Sequence, residues 1–228
     1  MPTGDFAGDD GGAAPALREA VDRLSSGTGT ATDVVAALGA ARVMVAVVAV
    51  LGEGEAQTAA GGDKQADMAL VTLTGPDGRR ALPAFASTSS LAAWDAMARP
   101  VAVTTRRAAH AALAEGCERI VLDPAGPTTF LVSRSAVVAL AQGRPWRPAH
   151  EDEVVGARLA ELVADEADVV GAGRRPGTGA ELRVELAVRP GLTREQLGAL
   201  ASRLGERLAN DEVLVERADG LELALVPA

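Results

Sequence analysis

The chain has no tyrosine, and aromatic residues make up only 2% of its 228 positions. A core with so few rings must be assembled from Ala, Val and Leu, within a hydrophobic fraction of 48%. That fraction excludes a mostly disordered chain. A single cysteine, Cys117, excludes an intrachain disulfide and any metal site built from several cysteines. Lysine is equally scarce. Lys64 is the one lysine among 22 basic residues, an arginine bias that fits the codon usage of a GC-rich genome. The most hydrophobic run, Val43 to Leu51, spans nine residues, whereas a membrane helix needs roughly 20. Met1-Pro2-Thr3-Gly4-Asp5 lacks the charged-then-apolar order of a secretory leader. The expectation is a soluble cytoplasmic protein with no membrane association.

The net charge of −9 is unevenly spread: residues 1–150 carry −2 and residues 151–228 carry −7. An acidic chain repels phosphate backbones, and nucleic-acid binding needs clustered basic side chains. Arg79-Arg80, Arg106-Arg107 and Arg174-Arg175 are short, scattered pairs. No nucleic-acid partner is expected.

What is present is mainly scaffold. Met68 to Thr74, the turn Gly75-Pro76-Asp77-Gly78 and Arg79 to Phe85 read as a β-hairpin feeding a helix that carries Trp94. Proline presets φ in such a turn and glycine accepts the positive φ that closes it. Arg42 to Leu51 is apolar on both alternating faces, the pattern of a strand covered on both sides. Helices are expected after Pro15, near Ala31 to Ala40 with Thr30 or Thr32 as cap, after Thr104 and after Ser133. Strands are expected at Pro100–Val103, Arg119–Asp123 and Thr128–Val132. Hairpins mixed with strand–helix–strand units predict an α/β or α+β fold with a mixed sheet.

Residues 1–13 read as a disordered N-terminus, 14–148 as the main domain, 149–179 as an acidic helix with a Gly-rich linker, and 180–228 as a small α+β domain. That last stretch reads strand, helix, strand (Glu212–Glu216), strand, with Thr193 and Gln196 set as a capping box. Gly52 to Gly62 reads as a mobile rim loop.

Taken together, Asp67–Gly78, Leu82-Pro83-Ala84-Phe85, Leu91-Ala92-Ala93-Trp94-Asp95, Val121–Gly126 and Leu140–Trp146 resemble the SseB family, proteins named for enhancing serine sensitivity. The resemblance covers about residues 15–150, the family's N-terminal domain, and less specifically residues 180–228. It implies a small cytoplasmic protein with a loose genetic link to serine sensitivity. It supplies no catalytic residues.

Phe85, Trp94 and Trp146 form a candidate protein-binding patch, because Trp is enriched at binding hot spots. A tryptophan on a helix face is more often a core or rim residue with its indole N–H satisfied locally. Asp123, in Asp-Pro-Ala-Gly-Pro, presents a carboxylate at a strand end, although catalysis needs a second acid, a base or a metal. His110 and His150 lack partners at ligand spacing, and Cys117 lacks a base nearby, so it reads as a buried, inert thiol. The glycines from Gly171 to Gly179 lack the Gly-Lys-Ser/Thr ending of a phosphate loop. No cofactor and no metal are expected. The expected function is a non-catalytic binding or regulatory module with a protein partner and an optional homodimer. The alternative is a small-molecule-binding protein or enzyme with its site at the strand-end loops near Asp123.

Overall fold

The computed structural model describes residue 6, residues 8–50 and residues 67–228. The expected rim loop at Gly52–Gly62 lies outside the described residues. The backbone divides into two compact units, Met1–Ser133 with Ala139–Arg144, and Arg134–Val138 with Pro145–Ala228.

In the first unit, α1 (Pro15–Ser25) and α2 (Ala31–Gly39) precede β1 (Arg42–Val50). Pro15 opens α1, where its missing N–H costs nothing. Thr30, not Thr32, caps α2. Its hydroxyl accepts from Asp33 N at 3.2 Å, and Asp33 Oδ2 accepts from Thr30 N at 2.9 Å. The chain continues through β2 (Asp67–Leu70), β3 (Leu73–Thr74), β4 (Arg80–Phe85), α3 (Thr88–Trp94), β5 (Arg99–Thr104), α4 (Thr105–Ala114), β6 (Arg119–Leu122) and β7 (Phe130–Val132). Helix α5 (Arg134–Gln142) follows, its Arg134–Val138 part belonging to the second unit and the remainder to the first, and ends at Gly143, whose φ of 70° is the left-handed stop that glycine adopts without strain.

The seven strands form one mixed sheet in the order β2-β1-β4-β6-β7, with β5 also on β1 and β3 also on β4. β4 and β6 run parallel and the other pairs antiparallel. The mixed α/β fold expected from the sequence is therefore present. The hairpin is present too, as β3–β4, but its first arm is split. The cause is Pro83. β4 meets β1 at Met44↔Phe85 and Val45↔Ala84, so Pro83 would face Ala46 next. Proline has no N–H to give to the Ala46 carbonyl. Val71 N donates to that oxygen instead, at 3.2 Å. From this fork the β2–β3 arm takes over, pairing Leu70 with Val47 on one side and Leu73 with Ala81 on the other.

The N-terminal segment expected to be disordered is partly tied down. Asp9 forms a two-pronged ion pair with Arg42, Oδ2 to Nε at 2.6 Å and Oδ1 to Nη2 at 2.7 Å, and Thr88 N donates to Gly11 O at 2.9 Å. Arg42 holds the Asp9 carboxyl down to about 2. A carboxylate lowered in this way adds stability above its ordinary pKa and loses it as pH falls toward its folded value. Acidification from pH ~4 to ~2 should therefore release this segment, read as a loss of protection of the Thr88 amide relative to its intrinsic exchange rate at each pH. Asp9→Asn should remove that pH dependence and leave the Thr88 amide unprotected at both pH values.

The second unit comprises α6 (Glu153–Val163), β8 (Val169–Pro176), β9 (Leu182–Val188), α7 (Arg194–Ala209), α8 (Glu212–Arg217) and β10 (Leu221–Pro227). Its three strands lie in the order β10-β9-β8, β8 antiparallel and β10 parallel to β9. Leu182, Val184 and Leu186 of β9 pack with Val155 and Leu159 of α6 and with Leu200, Leu204 and Leu208 of α7. Each such side chain gains about 1.5–3 kcal/mol from leaving water.

Two expectations are corrected in this unit. The Gly/Arg/Pro stretch at 169–176 is strand β8, not linker, because its backbone pairs along the whole of β9. Residues 212–217 are helix α8, not a strand. Asp211 Oδ1 accepts from Val213 N and Leu214 N, both at 3.1 Å, and that cap starts a helical turn which buries Leu214.

Candidate functional site

Helix α3 organises the candidate residues of the first unit. Ser87 caps it, its hydroxyl accepting from Ser90 N at 3.0 Å. Phe85, the last residue of β4, is fully buried with Met44, Ala46 and Leu91. Trp94, at the far end of α3, lies over it with ring centroids 5.4 Å apart at 42°. Tilted aromatic pairs of this kind add about 0.5–1.5 kcal/mol beyond area burial. Phe85 therefore offers no surface of its own and acts as the seat for a half-buried Trp94. Beyond Trp94, Asp95, Ala96 and Met97 are exposed, Met97 at 88%.

Asp123 follows β6, where it adopts a positive φ of 49°. That strained backbone is held by several bonds. Asp123 N donates to Ala84 O at 2.9 Å, Asp123 O accepts from Gly126 N at 2.9 Å, and Oδ1 accepts from Ala86 N at 3.0 Å. Burial raises the Asp123 carboxyl above its ordinary range, and hydrogen bonds from Ala86 and Ser90 oppose that shift. The carboxylate thus ties the end of β6 to the end of β4. It stands at the carboxyl ends of two adjacent parallel strands, where open α/β sheets place ligands.

Trp146 belongs to the second unit. Its indole N–H donates to Ser135 Oγ at 3.0 Å, and that hydroxyl donates to Glu181 Oε2 at 3.0 Å. Glu181 also accepts from Asp219 N at 2.7 Å and from Ala149 N at 3.2 Å. The sequence reading missed Glu181, because its partners lie 32 to 46 positions away along the chain. The half-buried Trp146 is thereby fixed in orientation.

Cys117 is buried, and burial pushes its thiol up, so little thiolate is available for chemistry. No three His, Cys, Asp or Glu side chains come together as a metal-binding group among the described residues. Nor is any helix among them long and apolar enough to cross a membrane. A half-open apolar depression lies at the carboxyl end of β9, lined by Pro190, Leu192, Leu197, Leu225 and Pro227.

The chain is thus a two-unit protein of mixed α/β structure, its first unit built on a forked sheet with the Phe85–Trp94–Asp123 cluster at the ends of α3. Residues 17–139 match the family model of the SseB protein N-terminal domain, and the chain belongs to the SseB family. A search of the curated proteins and a search of the solved structures each gave no match.

Proposed function

We propose that the protein is a non-catalytic, cytoplasmic binding module that captures a protein partner at the corner between α3 and β5. The observation that carries this is Met97, 88% exposed, beside a Trp94 held on Phe85. A flexible methionine next to a rigid, half-buried indole suits an apolar side chain of a partner. Ala92, Ala93 and Ala96 are also exposed on this stretch and leave room for contact. Any link to serine sensitivity would pass through that partner.

A photo-crosslinking residue at position 97 should capture one discrete protein, and the same residue at Val154, exposed in the second unit, should not. Against that protein in purified form, Met97→Asp should weaken binding at least tenfold with the melting temperature unchanged. Equal capture from both positions, or undiminished binding by Met97→Asp, would sink the proposal.

A second function rests on Asp123, whose half-buried carboxyl and positive φ stand at the parallel strand ends. Its side chain is already bonded to Ala86 and Ser90, which favours a structural clamp. A rise in melting temperature with an amino acid, lost in Asp123→Asn, would establish a ligand there instead.

A further inference from the structure

Exposed strand edges invite pairing with other chains, and proteins blunt them with prolines, bulges or short length. Most edges among the described residues are blunted. β2 and β7 have four and three residues. Thr105 N donates to Ala41 O, so in β5 the backbone groups of Arg99, Val101 and Val103 face β1 and those of Pro100 and Ala102 face outward. Pro100 removes one of the outward donors. β8 carries an irregularity between Val169 and Gly171 and ends at Pro176.

β10 is different. It pairs with β9 in unbroken register from Leu221↔Leu182 to Pro227↔Val188. Leu182 N donates to Gly220 O and Ala228 N to Val188 O. This alternation turns the backbone groups of Glu222, Ala224 and Val226 toward β9 and those of Leu221, Leu223 and Leu225 away from it. Among the described residues, nothing bonds to these outward groups. The three leucine side chains lie on the helix-covered face and are only partly buried against the core. Glu222 is the one charged residue on the strand, and Arg183 Nη1 stands 3.7 Å from its carboxylate.

We propose that this edge pairs with the same edge of a second copy of the chain, antiparallel about a two-fold axis normal to the sheet, giving one continuous six-stranded sheet. The strand is complementary to itself. With Leu223 opposite Leu223 of the second copy, Leu221 falls opposite Leu225, and every outward donor meets an outward acceptor. The axis keeps both helix-covered faces on one side, so each half-buried leucine gains a leucine across the seam. On the open face Glu222 meets the methyl of Ala224, which avoids opposing like charges. Pro227 ends the row of donors and so discourages a slip of register. A foreign strand would satisfy the backbone equally well, but nothing would match its side chains to this pattern. A seam of about five residues a side is small, so the association is weak and concentration-dependent. It does not depend on the α3–β5 corner.

Sedimentation of the full chain over a range of concentrations should show exchange between 23.1 kDa and twice that mass. Hydrogen exchange at Leu221, Leu223 and Leu225 should slow as concentration rises. Ala224→Glu sets two like-charge pairs across the seam and should raise the dissociation constant about tenfold, whereas Ala224→Lys should not weaken it. Circular dichroism and the melting temperature report whether each variant folds. A monomer at every concentration overturns the proposal. So does a dimer in which the amides of Leu221, Leu223 and Leu225 exchange freely, and that measurement stands even where Ala224→Glu destabilises the fold.

Discussion

Phe85→Ala should lower the free energy of unfolding by about 3–5 kcal/mol, the range for removing a fully buried phenylalanine. Phe85 is fully buried among Met44, Ala46 and Leu91, and Trp94 covers it with centroids 5.4 Å apart. The substitution removes transfer energy, leaves a cavity that the pleated backbone of β4 and β1 cannot readily collapse, and breaks the aromatic pair. Denaturant titration followed by tryptophan fluorescence measures both consequences, because Trp94 should move into a wetter environment even before global unfolding. A surface contact residue would behave oppositely, with stability held and partner binding lost. If Phe85→Ala unfolds at the unsubstituted protein's midpoint, Phe85 is not the seat of Trp94 and the account of the corner fails.

The second large effect is expected at Glu181. Replacing it with Ala removes the acceptor for Ser135 Oγ, Ala149 N and Asp219 N together. Ser135 is fully buried and Ala149 likewise, so water cannot easily replace what is lost. Leaving such donors unsatisfied costs about 1–3 kcal/mol each. Because the three share one carboxylate, the losses will not add fully. A total of about 3–5 kcal/mol is expected. Glu181→Gln keeps one carbonyl acceptor and should recover part of it. Equilibrium unfolding gives the magnitude, and the indole N–H resonance of Trp146, bonded to Ser135, gives the locality. An unchanged indole resonance in Glu181→Ala would show that the chain of bonds from Trp146 to Glu181 is not formed.

The sequence makes the local geometry legible and leaves the cross-chain geometry hidden. The Gly75-Pro76-Asp77-Gly78 turn, the Thr193–Gln196 capping box and the stop at Gly143 are each encoded within a few positions, and each is present. β8 escapes a periodicity search because Gly171, Gly173, Arg174 and Arg175 carry no apolar alternation, and its pairing comes from the backbone of β9. Val213 and Val215 suggest a strand by alternation, yet the Asp211 cap decides for a helix. Among the candidate residues, Phe85 and Trp94 can be placed together because they flank one short helix in sequence, whereas Asp123 joins that helix only through the parallel pairing of β6 with β4, and Trp146, grouped with them in sequence, lies in the second unit. Glu181 cannot, since a carboxylate that collects donors from Ser135, Ala149 and Asp219 looks in sequence like any solvated charge.

The fork at Pro83 also sets how this chain can be shortened or rearranged. Because Val71 supplies the donor that Pro83 lacks, the central strand and the hairpin arm are not separable modules. Excising residues 67–74 would not merely trim an edge. It would strand the Ala46 carbonyl in the middle of the sheet, so any minimal version of the first unit must keep that arm or replace Pro83.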